Sequence, residues 1–171
     1  MKVEVGEHTI QEMLDILAKV DVVAVATASG DEIRTRMMHY AYQDDFTIYL
    51  ASMKGDPKTV QITRQPSISL LIADTRGQFP EMKEVEVTGK AALVNNEEER
   101  QRAFKMEAPR SPIVGYLYQN NQTSVLDCIK VVPQVVKFRI AGEVVQGQSP
   151  TVVTFPQNRN PVSDWVLLKK K

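Results

Sequence analysis

Cysteine is nearly missing from this chain. Cys128 stands alone in 171 residues, so no disulfide can form within it, and a reducing compartment is the natural expectation. Histidine is almost as scarce: His8, His39 and Cys128 are together too few for a four-ligand zinc site built from Cys and His. Charge of one sign is lacking as well, because 21 Lys and Arg balance 21 Asp and Glu. That balance removes the usual electrostatic reason to propose a nucleic acid as partner. No apolar run approaches the roughly 20 residues that a membrane span needs. Glu4 and Glu7 stand where a secretory leader is basic and then greasy, so the protein is expected in the cytoplasm.

What is present is ordinary for a globular protein: 43% hydrophobic and 25% charged residues. A chain of this length suits one domain, here 1–171, and buries about two-thirds of its unfolded surface without help from metal or disulfides. Thr9, with Glu12 three residues on, reads as a capping box opening a helix over 9–19, with Ile10, Met13, Leu14 and Leu17 at helical spacing. The period then changes. Val22–Thr27, Ile33–Tyr42 and Phe46–Ala51 read as strands joined by turns at Ser29-Gly30-Asp31 and Gln43-Asp44-Asp45, an antiparallel meander. Asp56 and Pro57 open a short helix that is expected to bury Val60 and Ile62, and Pro66 stops it. Strands are expected over 67–73, 82–94 and 125–140, the last with a bulge or an edge position at Pro133. Between the last two, Asn96 opens a helix to Met106 whose Glu97–Glu99 read as a solvated first turn, and 111–122 is a short helix or a loop. The tail, 142–171, has little pattern, though Trp165 is expected to cover the core or a neighbouring subunit. The fold class is therefore mainly β with peripheral helices, an antiparallel barrel with its core at about 22–140.

Two segments carry candidate chemistry. Strand alternation puts Arg34, Arg36, Met38 and Tyr40 on one face, which suits either an anion beside a flat ring or a solvated outer surface. The step Ala51-Ser52-Met53-Lys54-Gly55-Asp56-Pro57-Lys58-Thr59 runs from strand to helix N-terminus. Free N–H groups there, two lysines and two hydroxyls suit a phosphate; a plain capped surface helix has the same composition. The Walker spacing is absent. His39, without a paired carboxylate or serine motif, reads as structural, and Cys128 as a small packed hydrophobe.

The order of these segments, Arg36-Met37-Met38-His39-Tyr40, Ile48–Ser52, Lys58-Thr59-Val60-Gln61, Gln65–Leu71 and Glu84–Ala91, resembles the pyridoxamine 5′-phosphate oxidase-like flavin-binding split-barrel family over Val22 to about Phe138. The resemblance implies a six-stranded antiparallel split β-barrel of Greek-key type, a homodimer holding FMN at its interface, and oxidoreductase chemistry on a small molecule. It also implies a site in which Arg36, Met37, Met38 and His39 line the ring, Ala51 and Ser52 contact it from the next strand, and Lys58 holds the phosphate with Thr59 beside it and Lys54 assisting. Glu84 falls where the oxidases themselves tend to have a flavin-contacting glutamine, and the tail shows no match to their substrate-binding arginine and histidine. Non-catalytic flavin carriage, or a relative using deazaflavin or haem, are the alternatives that the same resemblance allows. The catalytic residues and the substrate stay unassigned, and no metal is expected.

Overall fold

The computed structural model describes residues 2–4 and 8–156. Trp165 and the rest of the tail beyond Pro156 lie outside the described residues. Helix α1 (Ile10–Lys19) opens at Thr9 with the expected capping box, and it buries Met13, Leu14, Ile16 and Leu17. Each such side chain removed from water is worth about 1.5–3 kcal/mol, which fixes the helix to the sheet beneath it.

That sheet is antiparallel throughout and curls into a split barrel. Strands β2 (Val22–Ser29), β3 (Glu32–His39), β6 (Ser67–Asp74), β7 (Lys83–Leu93) and β8 (Leu126–Ile140) pair in the order β8-β7-β6-β2-β3. The second edge of β8 is shared: β5 (Ile48–Met53) pairs with its first half and β9 (Thr151–Thr154) with its second. Two short strands, β1 (Lys2–Glu4) on β9 and β4 (Ala41–Tyr42) on β5, complete nine among the described residues, where six were expected. Part of the excess comes from the segment after Gly142, which supplies β9 despite its weak sequence pattern; α5 (Ala141–Val145) leads into it.

The expected meander is also corrected. β2 and β3 form a hairpin around Gly30 (φ 60°), but the chain leaves it at Tyr40, and β5 pairs with β8 instead of β3. Tyr40 ends the pairing because its ring is fully buried and its hydroxyl donates to the carbonyl of Val20 at 2.7 Å. Phe46 is not in a strand: at φ 61° it closes a turn, its N–H donating to Gln43, and its buried ring packs on Phe155. As expected, Pro133 sits at a bulge, with Thr88 opposite Val135 but Gly89 opposite Pro133. Gly89 is required there, since a Cβ would lie 2.1 Å from the Val132 carbonyl oxygen.

Two apolar cores sit on opposite faces of β5. Ile48 and Leu50 join α1 and the barrel interior. Tyr49 points the other way, into a second cluster with Phe104, Val114, Leu126 and Cys128, made by α3 (Glu97–Glu107) and α4 (Pro112–Gln119). Glu99 corrects the expected solvated helix start. It is buried, ion-paired to the equally buried Lys130 at 3.0 Å, and accepts the Tyr49 hydroxyl at 2.8 Å.

Candidate functional site

Because β3 pairs only with β2 among the described residues, its second edge stays open there, and β5 faces it across a cleft rather than bonding to it. Helix α2 (Pro57–Arg64), entered through the turn at Gly55 (φ 79°), closes one end. The α3–α4 connection closes another.

Two adjoining hollows result, and they share Asp56 and Lys58. One, of about 240 Å³, is lined by Met37, Met38 and His39 from β3, Ala51 and Ser52 from β5, and Glu107, Ser111 and Val114 from α3 and α4. The other, of about 310 Å³, is lined by Arg34, Thr35, Arg36, Asp56, Pro57, Lys58 and Gln61. The first is a slot with apolar walls, the second a basic pocket. Seven of the nine expected site residues therefore come together: Arg36, Met37, Met38, His39, Ala51, Ser52 and Lys58.

The other two do not join them. Lys54 is exposed and lines neither hollow. Thr59 is buried, and its hydroxyl donates at 2.7 Å to the carbonyl of Asp56, so it serves the helix cap. Val60, expected in the sheet, is 48% exposed, while Ile62 is buried as expected. Glu84 lines a separate hollow of about 440 Å³ and is paired with Arg139 at 3.0 Å. A further hollow of about 550 Å³, between α1, α5 and the residues before β7, contains none of the expected residues.

The free helix N-terminus is also corrected. Asp56 turns its own carboxylate onto the Lys58 N–H at 3.0 Å, the Thr59 N–H goes to the Asp56 carbonyl at 3.0 Å, and Pro57 has no N–H to give. Side chains beside this helix end offer further donors for an anion. Lys58 donates to Ser52 Oγ at 3.0 Å and pairs with Asp56; an ammonium has three protons, so one remains. Hydrogen bonds from Lys58 hold the Asp56 carboxyl below its usual range, with burial opposing. Arg36 is oriented from beneath, through Thr27 Oγ1 at 3.0 Å and, more weakly, Gln61 Oε1 at 3.5 Å. Its second terminal nitrogen is buried and has no hydrogen-bond partner among the described residues. A buried guanidinium nitrogen left unsatisfied is costly, so its presence in the basic pocket fits an anionic ligand.

His39 shows no catalytic partner: its Nδ1 lies 3.1 Å from the Asp21 carbonyl. Cys128 is buried, as expected, and burial pushes its thiol pKa far up, so it is no nucleophile. Residues that sequence reasoning missed are Gln61, Ser111 and above all Glu107, which is 2% exposed in the wall of the slot. Burial raises its carboxyl pKa to about 8, against one hydrogen bond from the Ala51 backbone and the field of Arg110. A signal existed. Helix α3 has only Ala103, Phe104 and Met106 as apolar residues, so any buried face must also take in charged neighbours at i±4, among them Glu99 and Glu107 on either side of Ala103.

A family model described as pyridoxamine 5′-phosphate oxidase matches residues 9–140. The chain belongs to this family. A protein of Listeria innocua named for the same oxidase is 26% identical, with a TM-score of 0.61 over 78% of this chain and 98% of its own. The fold recurs in a haem-binding protein from Mycobacterium smegmatis (16% identity, TM-score 0.68, 88% of this chain and 60% of that one). It recurs also in an FAD-binding protein from Mesorhizobium loti (19% identity, TM-score 0.59, 81% and 97%). Among curated proteins, nothing matches. These structures share the fold of this chain, and no helix among the described residues is long and apolar enough to cross a membrane.

Proposed function

We propose that the protein is a cytoplasmic FMN-binding oxidoreductase that acts on a small molecule in the β3–β5 cleft. The observation that carries this reading is the unpartnered Arg36 nitrogen, set with Lys58 in a basic pocket that adjoins an apolar slot. A flavin mononucleotide has the matching halves, a dianionic phosphate and a flat ring. Arg36 and Lys58 would hold the phosphate through charge-assisted hydrogen bonds. Met37, Met38, Ala51 and Val114 would exclude water from the ring, and His39 and Ser52 offer polar contacts at the rim. The flavin supplies the redox chemistry, while the protein sets orientation, potential and access.

The edge of the cleft argues for a second copy of the chain. Ile33, Met37, Met53 and Ile113 are each more than half exposed around it, a concentration of apolar surface that a twofold partner covers. Light scattering at micromolar concentration is expected to give twice the chain mass of 19.2 kDa. A monomer mass contradicts the dimer.

FMN titrated into the apo-protein and followed by flavin fluorescence tests the main reading. Lys58→Ala is expected to weaken binding by about 1.5–3 kcal/mol, the range for a hydrogen bond to a charged group. An unchanged dissociation constant removes Lys58 from the phosphate site. A purified protein with a Soret band in place of a flavin spectrum replaces FMN by haem, and a flavin that is bound but never reoxidised by any acceptor makes the protein a carrier.

A further inference from the structure

Glu107 is the one carboxyl group in the wall of the ring slot that makes no ion pair among the described residues. Its surroundings come from four directions. On β5, the Ala51 N–H donates to it and Ser52 lies beside it in the wall. On β8, the buried Cys128 thiol is close enough to feel its charge, and Leu126 is apolar. From the α3–α4 connection, Arg110 is the cation whose field reaches it, but its Nη2 donates to the carbonyls of Leu17 and Val20 at 2.7 and 2.6 Å and pairs with Asp21 at 3.4 Å, and its guanidinium lies over the Tyr40 ring. Asp56, Lys58 and His39 line the same hollow from α2 and β3, and Lys58 is paired with Asp56. A carboxylate placed here has one backbone donor and no cation in contact, and it also sits at the C-terminal, negative end of α3. Burial under those conditions favours the neutral acid.

We infer that Glu107 is a positioning residue of the cleft, presenting a neutral carboxyl, donor and acceptor side by side, to the polar edge of the ring bound between β3 and β5. This rests on the flavin reading above. A neutral acid can donate to a ring carbonyl and accept from a ring N–H, whereas its ionised form accepts only and repels an anionic ligand. The raised carboxyl pKa supports the same conclusion, and ligand binding then depends on pH through this group.

The test compares FMN affinity from pH 6 to 10 in the wild-type protein and in Glu107→Gln, whose amide keeps a donor beside an acceptor and cannot titrate. Every other group of the site and of the ligand is common to both proteins, so the difference between them belongs to Glu107. Wild-type affinity is expected to fall about tenfold more than that of Glu107→Gln between pH 7 and 9, since each pH unit above the midpoint costs one decade. A second readout needs neither variant nor turnover: the ¹³C signal of the Glu107 carboxyl, assigned through its own side-chain carbons. Without FMN it is expected at the protonated position at pH 7, and FMN is expected to shift it. Parallel pH profiles, an ionised carboxyl at pH 7, or a signal indifferent to bound FMN overturn the role of Glu107 and leave the flavin reading intact. Absence of FMN binding at every pH overturns both.

Discussion

Lys130→Met is expected to lower the free energy of unfolding by about 3–5 kcal/mol, the cost of leaving one member of a buried ion pair alone. Lys130 and Glu99 are 1% and 3% exposed and 3.0 Å apart, so neither charge has water to fall back on. The Tyr49 hydroxyl donates to the same carboxylate at 2.8 Å, and its own pKa is driven far up by burial and then by Glu99, so it stays a donor. Removing the ammonium leaves the carboxylate with that hydroxyl and whatever neutralisation a proton supplies. The double variant Glu99→Gln/Lys130→Met is expected to recover most of the loss, because replacing both charges leaves no uncompensated ion. Urea unfolding of the three proteins at neutral pH measures this. A loss below about 1 kcal/mol in Lys130→Met would mean that the pair is hydrated in solution. The pair matters to the cleft because it ties α3 to β5 and β8, and α3 ends in Glu107.

The second large effect is a change of slope. In Glu107→Gln, stability is expected to depend less on pH than in the wild type between about pH 5 and 8. Burial raises the folded-state carboxyl to about 8, whereas an unfolded glutamic acid releases its proton near its usual value of about 4.3. Over that window the folded protein holds a proton that the unfolded chain has lost. Stability therefore falls as pH rises, by roughly 1 kcal/mol per unit, and levels off above about pH 8. Glutamine does not titrate, so the variant gains on the wild type across the same window. His8 contributes a fall in the same direction: burial opposes its charge, but hydrogen bonds to Glu143 and Glu12 raise its pKa, and that stabilisation disappears as pH climbs through it. Both proteins share His8, so it cancels in the comparison. Thermal melts at half-unit pH steps suffice; parallel curves for the two proteins would show that Glu107 is already ionised in the folded state at neutral pH.

Local signals were strong wherever one element could satisfy itself. The capping box at Thr9 and Glu12, the Asp56-Pro57 and Asn96 helix starts and the bulge at Pro133 are decided by residues within a few positions of one another, and all are found. The family, too, was legible, from the order of segments between Val22 and Phe138. Partner choice was not. Nothing in Phe46–Ala51 says that β5 bonds to β8, some 80 residues on, and leaves β3 with an open edge. That long-range choice opens the cleft, and it brings Ser52, Lys58 and Arg36 from three elements to one place.

Within the site, residue chemistry by itself determined the basic and apolar character of β3 and of the β5–α2 step, because alternation and helix geometry set which side chains share a face. Tertiary packing decided which groups are free to bind. Asp56 fills the helix end that looked vacant, Thr59 turns inward to the cap, and Arg36 is propped from below with one nitrogen unspent. Glu99 and Glu107 are the clearest case: on paper they are charged residues of a polar helix, and only the weight of β5 and β8 against that helix makes one an ion-pair partner and the other a buried acid. Desolvation belongs to no single residue. It arises from everything packed around a group, which is why it appears only when the chain is folded.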